Sequence, residues 1–232
     1  MNRGGLAGAV WEMDDRYTSY TAEGIADLRL DGGKLMFRLD VNDPGSGATI
    51  DYTAQTINEM AELGLPIFVE ALMLEKTAEG KLKLKKEPSA MIKALSVGAS
   101  LGTTTAFTWL KIAYCDNYQS VARSTTIPIL MLGGEAKNDP TPMLTEFVNG
   151  MAVGGSVRGA LVGRNILYPG KDDPLAVALA VNGVVHQGYS VEQAIECIAK
   201  NRARNLGIFK KLAKYRRTRH GVSHALVGHN EG

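Results

Sequence analysis

A chain of 232 residues, 45% hydrophobic and 22% charged, is long enough to bury the core of one large domain. Its net charge of +2 argues against a dedicated nucleic-acid-binding protein, and no apolar run is long enough to cross a bilayer. Two cysteines, Cys115 and Cys197, make no disulfide framework and the N-terminus lacks a signal-peptide pattern, so a cytoplasmic setting is expected. In chain order, Thr21 caps a helix running to Leu30. Lys34 to Asp40 alternates as a strand, with Lys34, Met36, Arg38 and Asp40 on one face and Leu35, Phe37 and Leu39 on the other. Ala48 to Leu63 repeats apolar residues at helical spacing and stops at Gly64. Leu65 to Leu72 is the next strand, and it sets Phe68, Glu70 and Leu72 on a common face. The charged excursion Glu75 to Lys86 reads as a solvated loop or hairpin, and Pro88 opens a helix from Ser89 to about Leu101.

Thr108 to Cys115 is a buried strand with a lysine at its centre. Alternation puts Leu110, Ile112 and Tyr114 on one face and Trp109, Lys111, Ala113 and Cys115 on the other. A short helix, Asn117 to Ser124, leads to the strand Ile127 to Leu132, which ends in Gly133-Gly134. A helix from Thr141 to Met151 precedes the strand Gly159 to Val162, which ends in Gly163-Arg164-Asn165. Asp173-Pro174 starts a helix through Val185, and Ser190 caps a last helix from Val191 to about Tyr215.

Strands and helices thus alternate, with crossovers of roughly 30 residues, the pattern of parallel βαβ units. None of the five strands reads as part of an antiparallel hairpin. An open doubly wound sheet and a (β/α)8 barrel both fit. The sequence lacks a G-x-G-x-x-G turn after a strand, which disfavours the first. Barrels carry functional side chains on inner faces and at the C-terminal ends of strands, where Lys34, Glu70 and Lys111 fall.

Three ionisable residues facing inward on successive strands need partners if they are buried. A structural Lys–Glu–Lys network is one explanation. The other is catalytic: a desolvated lysine loses affinity for its proton and attacks a carbonyl to form a Schiff base. Lys111 is then the nucleophile, Glu70 the general acid/base, and Lys34 the like charge that lowers the pKa of Lys111 and holds Glu70 or a substrate hydroxyl. Gly133, Gly134, Gly163 and Arg164 are candidates for holding a phosphate at the ends of the last two strands, with tight βα turns as the alternative for the glycines. Arg38 and Asp40 are candidate substrate contacts.

Leu110-Lys111-Ile112, the Gly-Gly strand end and Leu161-Val162-Gly163-Arg164-Asn165-Ile166 together resemble the class I aldolases. That family groups the deoxyribose-phosphate, archaeal-type fructose-bisphosphate and tagatose-bisphosphate enzymes. Gly33-Lys34-Leu35-Met36 and Phe68-Val69-Glu70 look most like its tagatose-bisphosphate and sulfofructose-phosphate branch. The resemblance runs from about Gly4 to Gly188. It implies a (β/α)8 barrel, a metal-free imine mechanism without a cofactor, a phosphorylated sugar substrate and assembly of identical chains. It aligns Lys34, Glu70 and Lys111 with the fourth, fifth and sixth strands, and the glycine-rich ends with the seventh and eighth.

By the same match about three N-terminal strands are missing, so an incomplete barrel with about five of its eight strands is expected. Such a chain need not be active alone. A non-catalytic sugar-phosphate-binding barrel, and a lysine-dependent transaldolase or isomerase, are the competing readings. By the same match Asn2, Arg3, Asp14 and Asp15 sit where the loop after the third strand would be and are candidate contacts to sugar hydroxyls. Trp109 reads as barrel floor and His186 as a helix residue. The basic run Lys210 to His220 and residues 216–232 read as a solvated helix end and a flexible tail.

Overall fold

The computed structural model describes residues 13–202. After α1 (Ala22–Asp27), capped by the Thr21 hydroxyl, come β1 (Gly33–Leu39), α2 (Gly45–Glu62), β2 (Ile67–Lys76) and β3 (Leu82–Leu84). Then follow α3 (Pro88–Ala99), β4 (Thr108–Ile112), α4 (Tyr118–Arg123), β5 (Ile129–Leu132) and α5 (Thr141–Val153). The described chain closes with β6 (Val157–Leu161), α6 (Arg164–Leu167), α7 (Pro174–Gln187) and α8 (Val191–Asn201). Every strand and helix expected from sequence within this range forms, with ends displaced by a few residues. The short helix α6 is additional. The C-terminal part of the last expected helix, the basic tail, Asn2 and Arg3 lie outside the described residues.

The sheet runs β1-β2-β4-β5-β6, and each of these pairings is parallel. Spatial order equals chain order, so every crossover moves one strand along in the same direction. A doubly wound sheet reverses its order at a switch point. Continuous winding of this kind is that of a (β/α)8 barrel, here an open arc with β1 and β6 at its ends. Among the described residues the barrel is not closed, in keeping with the incomplete barrel that the family resemblance implies.

One expectation is overturned. β3 pairs antiparallel with the far end of β2, in the register Leu74↔Leu84 and Lys76↔Leu82. β2 continues beyond Leu72 to Lys76, and the turn closes through hydrogen bonds from Thr77 N–H to Lys81 O (2.7 Å) and Gly80 N–H to Thr77 O (2.9 Å). Of the two forms open to the charged excursion, the hairpin forms. Its leucines supply the reason: Leu82 and Leu84 pack on the buried residues Leu72, Leu74 and Met13.

Alternation gives the sheet two unlike faces. Leu35, Phe37, Ile67, Val69, Leu110, Ile112, Ile129 and Met131 are almost fully buried and belong to the main core. Gly98 of α3 lies over Val69, Phe37 and Leu110, and Gly150 of α5 lies over Met131, so the helices cover this face. Removing each such side chain from water contributes roughly 1.5–3 kcal/mol. The opposite, concave face carries the charged residues.

Candidate active site

Register builds the site layer by layer on the concave face. Lys34 lies beside Phe68, and Phe68 beside Trp109. The two rings, with centroids 6.0 Å apart, form a floor toward the N-terminal ends of the strands. One layer higher, Met36, Glu70 and Lys111 stand side by side on β1, β2 and β4. Lys111 Nζ donates to Glu70 Oε2 at 2.9 Å. Lys34 reaches up diagonally from the floor layer and places its Nζ 2.7 Å from the same oxygen.

Exposure separates the two lysines: the Lys111 side chain is 13% exposed and that of Lys34 36%, with Glu70 at 12%. Burial therefore pushes the Lys111 ammonium below its ordinary 10.5; Glu70 opposes this, while the Lys34 and Arg164 charges add to it. Burial alone would raise the Glu70 carboxyl, but the Lys34 and Lys111 charges prevail and hold it below 4.5. At neutral pH Glu70 is thus a carboxylate. It begins any reaction as a proton acceptor.

Glu70 opens into a cavity of about 880 Å³ at the C-terminal end of the sheet, where barrel enzymes hold substrate. Lys34, Met36 and Arg38 line it from β1, and Leu72, Leu74 and Leu84 from the hairpin side. Gly133, Gly134, Arg164 and Asn165 border it from the ends of β5 and β6. Lys86 and Lys137 add two further cations to its wall.

Other candidates fall elsewhere. Arg38 lines the cavity but is 3% exposed and ion-paired to the buried Asp15, while its Nη2 lies 3.5 Å from Met36 Sδ. Asp40 is not brought to the site. β1 ends at Leu39, so alternation no longer governs the next residue. Its carboxylate instead accepts the Asn42 N–H at 3.0 Å beside a separate depression formed with Asp43, Met73 and Glu75. Gly163 does not line the cavity. Its carbonyl accepts the N–H groups of Ile166 and Leu167, both at 2.9 Å, which is the turn role. His186 lies in the last turn of α7.

Asn165 is the residue that sequence reasoning passed over. It is 4% exposed, and its Nδ2 donates to Gly133 O at 2.5 Å and Glu135 O at 3.0 Å. Both acceptors are main-chain atoms some 30 residues away. No pattern of residue types announces them.

The model of the Cgl0159-like family matches residues 1–185. The chain belongs to the Cgl0159-like family. Among solved structures, Cgl0159 from Corynebacterium glutamicum is 36% identical with a TM-score of 0.74, over 82% of this chain and 63% of that one. An archaeal fructose-1,6-bisphosphate aldolase, solved with its catalytic lysine bound to a carbinolamine intermediate, is 18% identical with a TM-score of 0.56, over 74% and 64% of the two chains. A fructose-bisphosphate aldolase from Slackia heliotrinireducens is 14% identical with a TM-score of 0.58, over 85% and 64%. These two likenesses show an aldolase-like fold. This Cgl0159-like chain spans 63% and 64% of the lengths of these structures. No curated protein sequence matches it. Among the described residues of this family member, no helix is long and apolar enough to cross a membrane.

Proposed function

We propose that this Cgl0159-like chain carries the site of a class I aldolase, which makes or breaks a carbon–carbon bond in a phosphorylated sugar through a Schiff base on Lys111. One observation carries the reading. A single oxygen of a buried carboxylate that lines a substrate-sized cavity receives two ammonium groups, at 2.7 and 2.9 Å; of the two lysines, Lys34 lines the cavity and Lys111 does not. The triad has a net charge of +1, and the desolvated member, Lys111, is the one that sheds it most readily as a proton.

The deprotonated Lys111 amine attacks the ketone carbon, and the resulting carbinolamine loses water to give a protonated imine. Glu70 accepts a proton from the sugar hydroxyl β to the imine carbon. The carbon–carbon bond then breaks, its electron pair moves into the imine, and an aldehyde and an enamine result. The enamine takes a proton at carbon, and water releases the ketone and regenerates Lys111. Lys34, with its Nζ 2.7 Å from Glu70 Oε2, keeps Glu70 in place. Arg164 with the Gly133–Gly134 loop is assigned to the phosphate.

The finer reading is a substrate of the tagatose-bisphosphate or sulfofructose-phosphate type, a ketose phosphate or keto-sugar acid phosphate. It is supported by Gly33-Lys34-Leu35-Met36 and Phe68-Val69-Glu70. A cytoplasmic setting and assembly of identical chains go with it.

Borohydride reduction of the 232-residue chain in the presence of dihydroxyacetone phosphate tests the reading. A mass increase localised to Lys111 is expected. Absence of any adduct on correctly folded protein overturns it in favour of a sugar-phosphate-binding barrel without catalysis.

A further inference from the structure

The ends of β5 and β6 approach so closely that a Cβ on Gly133 would stand 2.2 Å from Val162 Cγ2. Gly134 follows at φ +66°, a conformation that residues with a Cβ rarely adopt, and its α-carbon faces open space. Asn165, one residue after Arg164, spans the gap. Both of its contacts are carbonyl oxygens, which only an NH₂ group can satisfy, so the orientation of the amide is fixed by chemistry. Its two N–H donors are both engaged.

The peptide bonds here are trans, and in a trans peptide the carbonyl of one residue points opposite to the N–H of the next. Holding the Gly133 and Glu135 carbonyls toward Asn165 therefore turns the Gly134 and Ala136 N–H groups away from it. Neither N–H donates to a main-chain acceptor among the described residues outside helices and strands. Gly133, Gly134 and Glu135 border the cavity that Arg164 also lines. Main-chain N–H groups of one turn that point to the same side make an anion-binding concavity.

We infer that Asn165 is the positioning residue of the phosphate subsite: it fixes the Gly133–Ala136 loop so that the Gly134 and Ala136 N–H groups, with Arg164, receive the phosphate of the substrate. The inference rests on the proposed aldolase reading and adds to it a residue that touches no substrate. Such a residue acts on affinity for the phosphorylated ketone and leaves the Lys111 chemistry alone.

The test compares borohydride trapping of dihydroxyacetone phosphate with trapping of unphosphorylated dihydroxyacetone, in wild type and Asn165→Asp. The aspartate has the same shape but turns an oxygen toward the two carbonyls. The half-saturating concentration of the phosphorylated ketone should rise about tenfold or more. Trapping of dihydroxyacetone should be unchanged, which also shows that the variant folds. Equal half-saturation for the phosphate ester in both proteins overturns the inference. Wild type that traps neither ketone overturns the aldolase reading instead. A second measurement needs no variant: titrating wild type with inorganic phosphate should shift the Gly134 and Ala136 amide resonances. If phosphate moves other amides and leaves these two still, the inference fails whatever the trapping shows.

Discussion

The concave face holds two buried ionic groups that differ in kind. Arg38 and Asp15 are paired with side chains 3% and 1% exposed, and a guanidinium keeps its charge at any pH a protein survives. Lys34, Glu70 and Lys111 are two cations on one carboxylate oxygen, and the more buried cation is a lysine that can lose its proton. The first group matches one positive charge with one negative and has every reason to stay as it is. The second has a surplus charge, and burial lowers the hold of Lys111 on its proton. On the proposed reading the two ion-paired groups anchored on β1 serve opposite ends: one fixes the strand, the other stores reactivity.

The largest effect expected is on the reactive group. Lys111→Ala should abolish the borohydride-dependent adduct and lower turnover by about three orders of magnitude or more, since no other group forms the imine. Glu70→Gln should keep the adduct while turnover falls roughly 10²- to 10⁴-fold, the usual contribution of a general acid/base. A normal turnover rate in that variant removes Glu70 from the mechanism.

The fixed pair should respond in stability rather than in chemistry. Asp15→Ala leaves the Arg38 guanidinium buried beside its vacated partner and should cost about 3–5 kcal/mol, read from urea or thermal melts. If Lys34→Met proved equally destabilising, the contrast between the two groups would collapse.

Smaller effects appear in pH profiles. The Lys34 charge depresses Lys111, so Lys34→Met should move the midpoint of adduct formation to higher pH. Glu70→Gln removes an anion that raises Lys111 and should move it lower. Glu70 itself titrates below 4.5 when folded, so the stability from its ionisation is fully present above that pH and lost as the pH falls through the folded value. Acid melts of Glu70→Gln should accordingly lack that part of the pH dependence. The smallest effect is on the pair Lys85–Glu75, at 3.4 Å with both side chains well exposed. Lys85→Ala should change stability by less than about 0.5 kcal/mol.

Strand alternation was enough to place Lys34, Glu70 and Lys111 on one face, because a period of two persists as long as the strand does. It failed where the strand stopped: Asp40 keeps the parity of Arg38 but falls beyond Leu39, in a turn closed by Ser46 and Asn42. Loop and hairpin both stayed open for the charged excursion because three residues, Leu82-Lys83-Leu84, are too short for a pattern and depend on Leu72 and Leu74 for their packing. Asp15 reads from sequence as a loop residue and candidate sugar contact, but it is buried against Arg38. Its partner lies 23 residues away, and nothing local marks the pairing. Glycines at two strand ends were visible as a motif, yet which of them borders the cavity was decided by how α6 begins.

Because each parallel strand is laid down beside the one synthesised just before it, the proposed catalytic and phosphate-binding groups all come from one uninterrupted stretch, residues 33 to 165. Each pairing in this stretch closes across one crossover, and parallel pairing of this kind is intrinsically slow because the loop must close before its contacts form. A nascent chain can complete the charged triad while later strands are still within the ribosome, and add the anion-binding loops as they emerge.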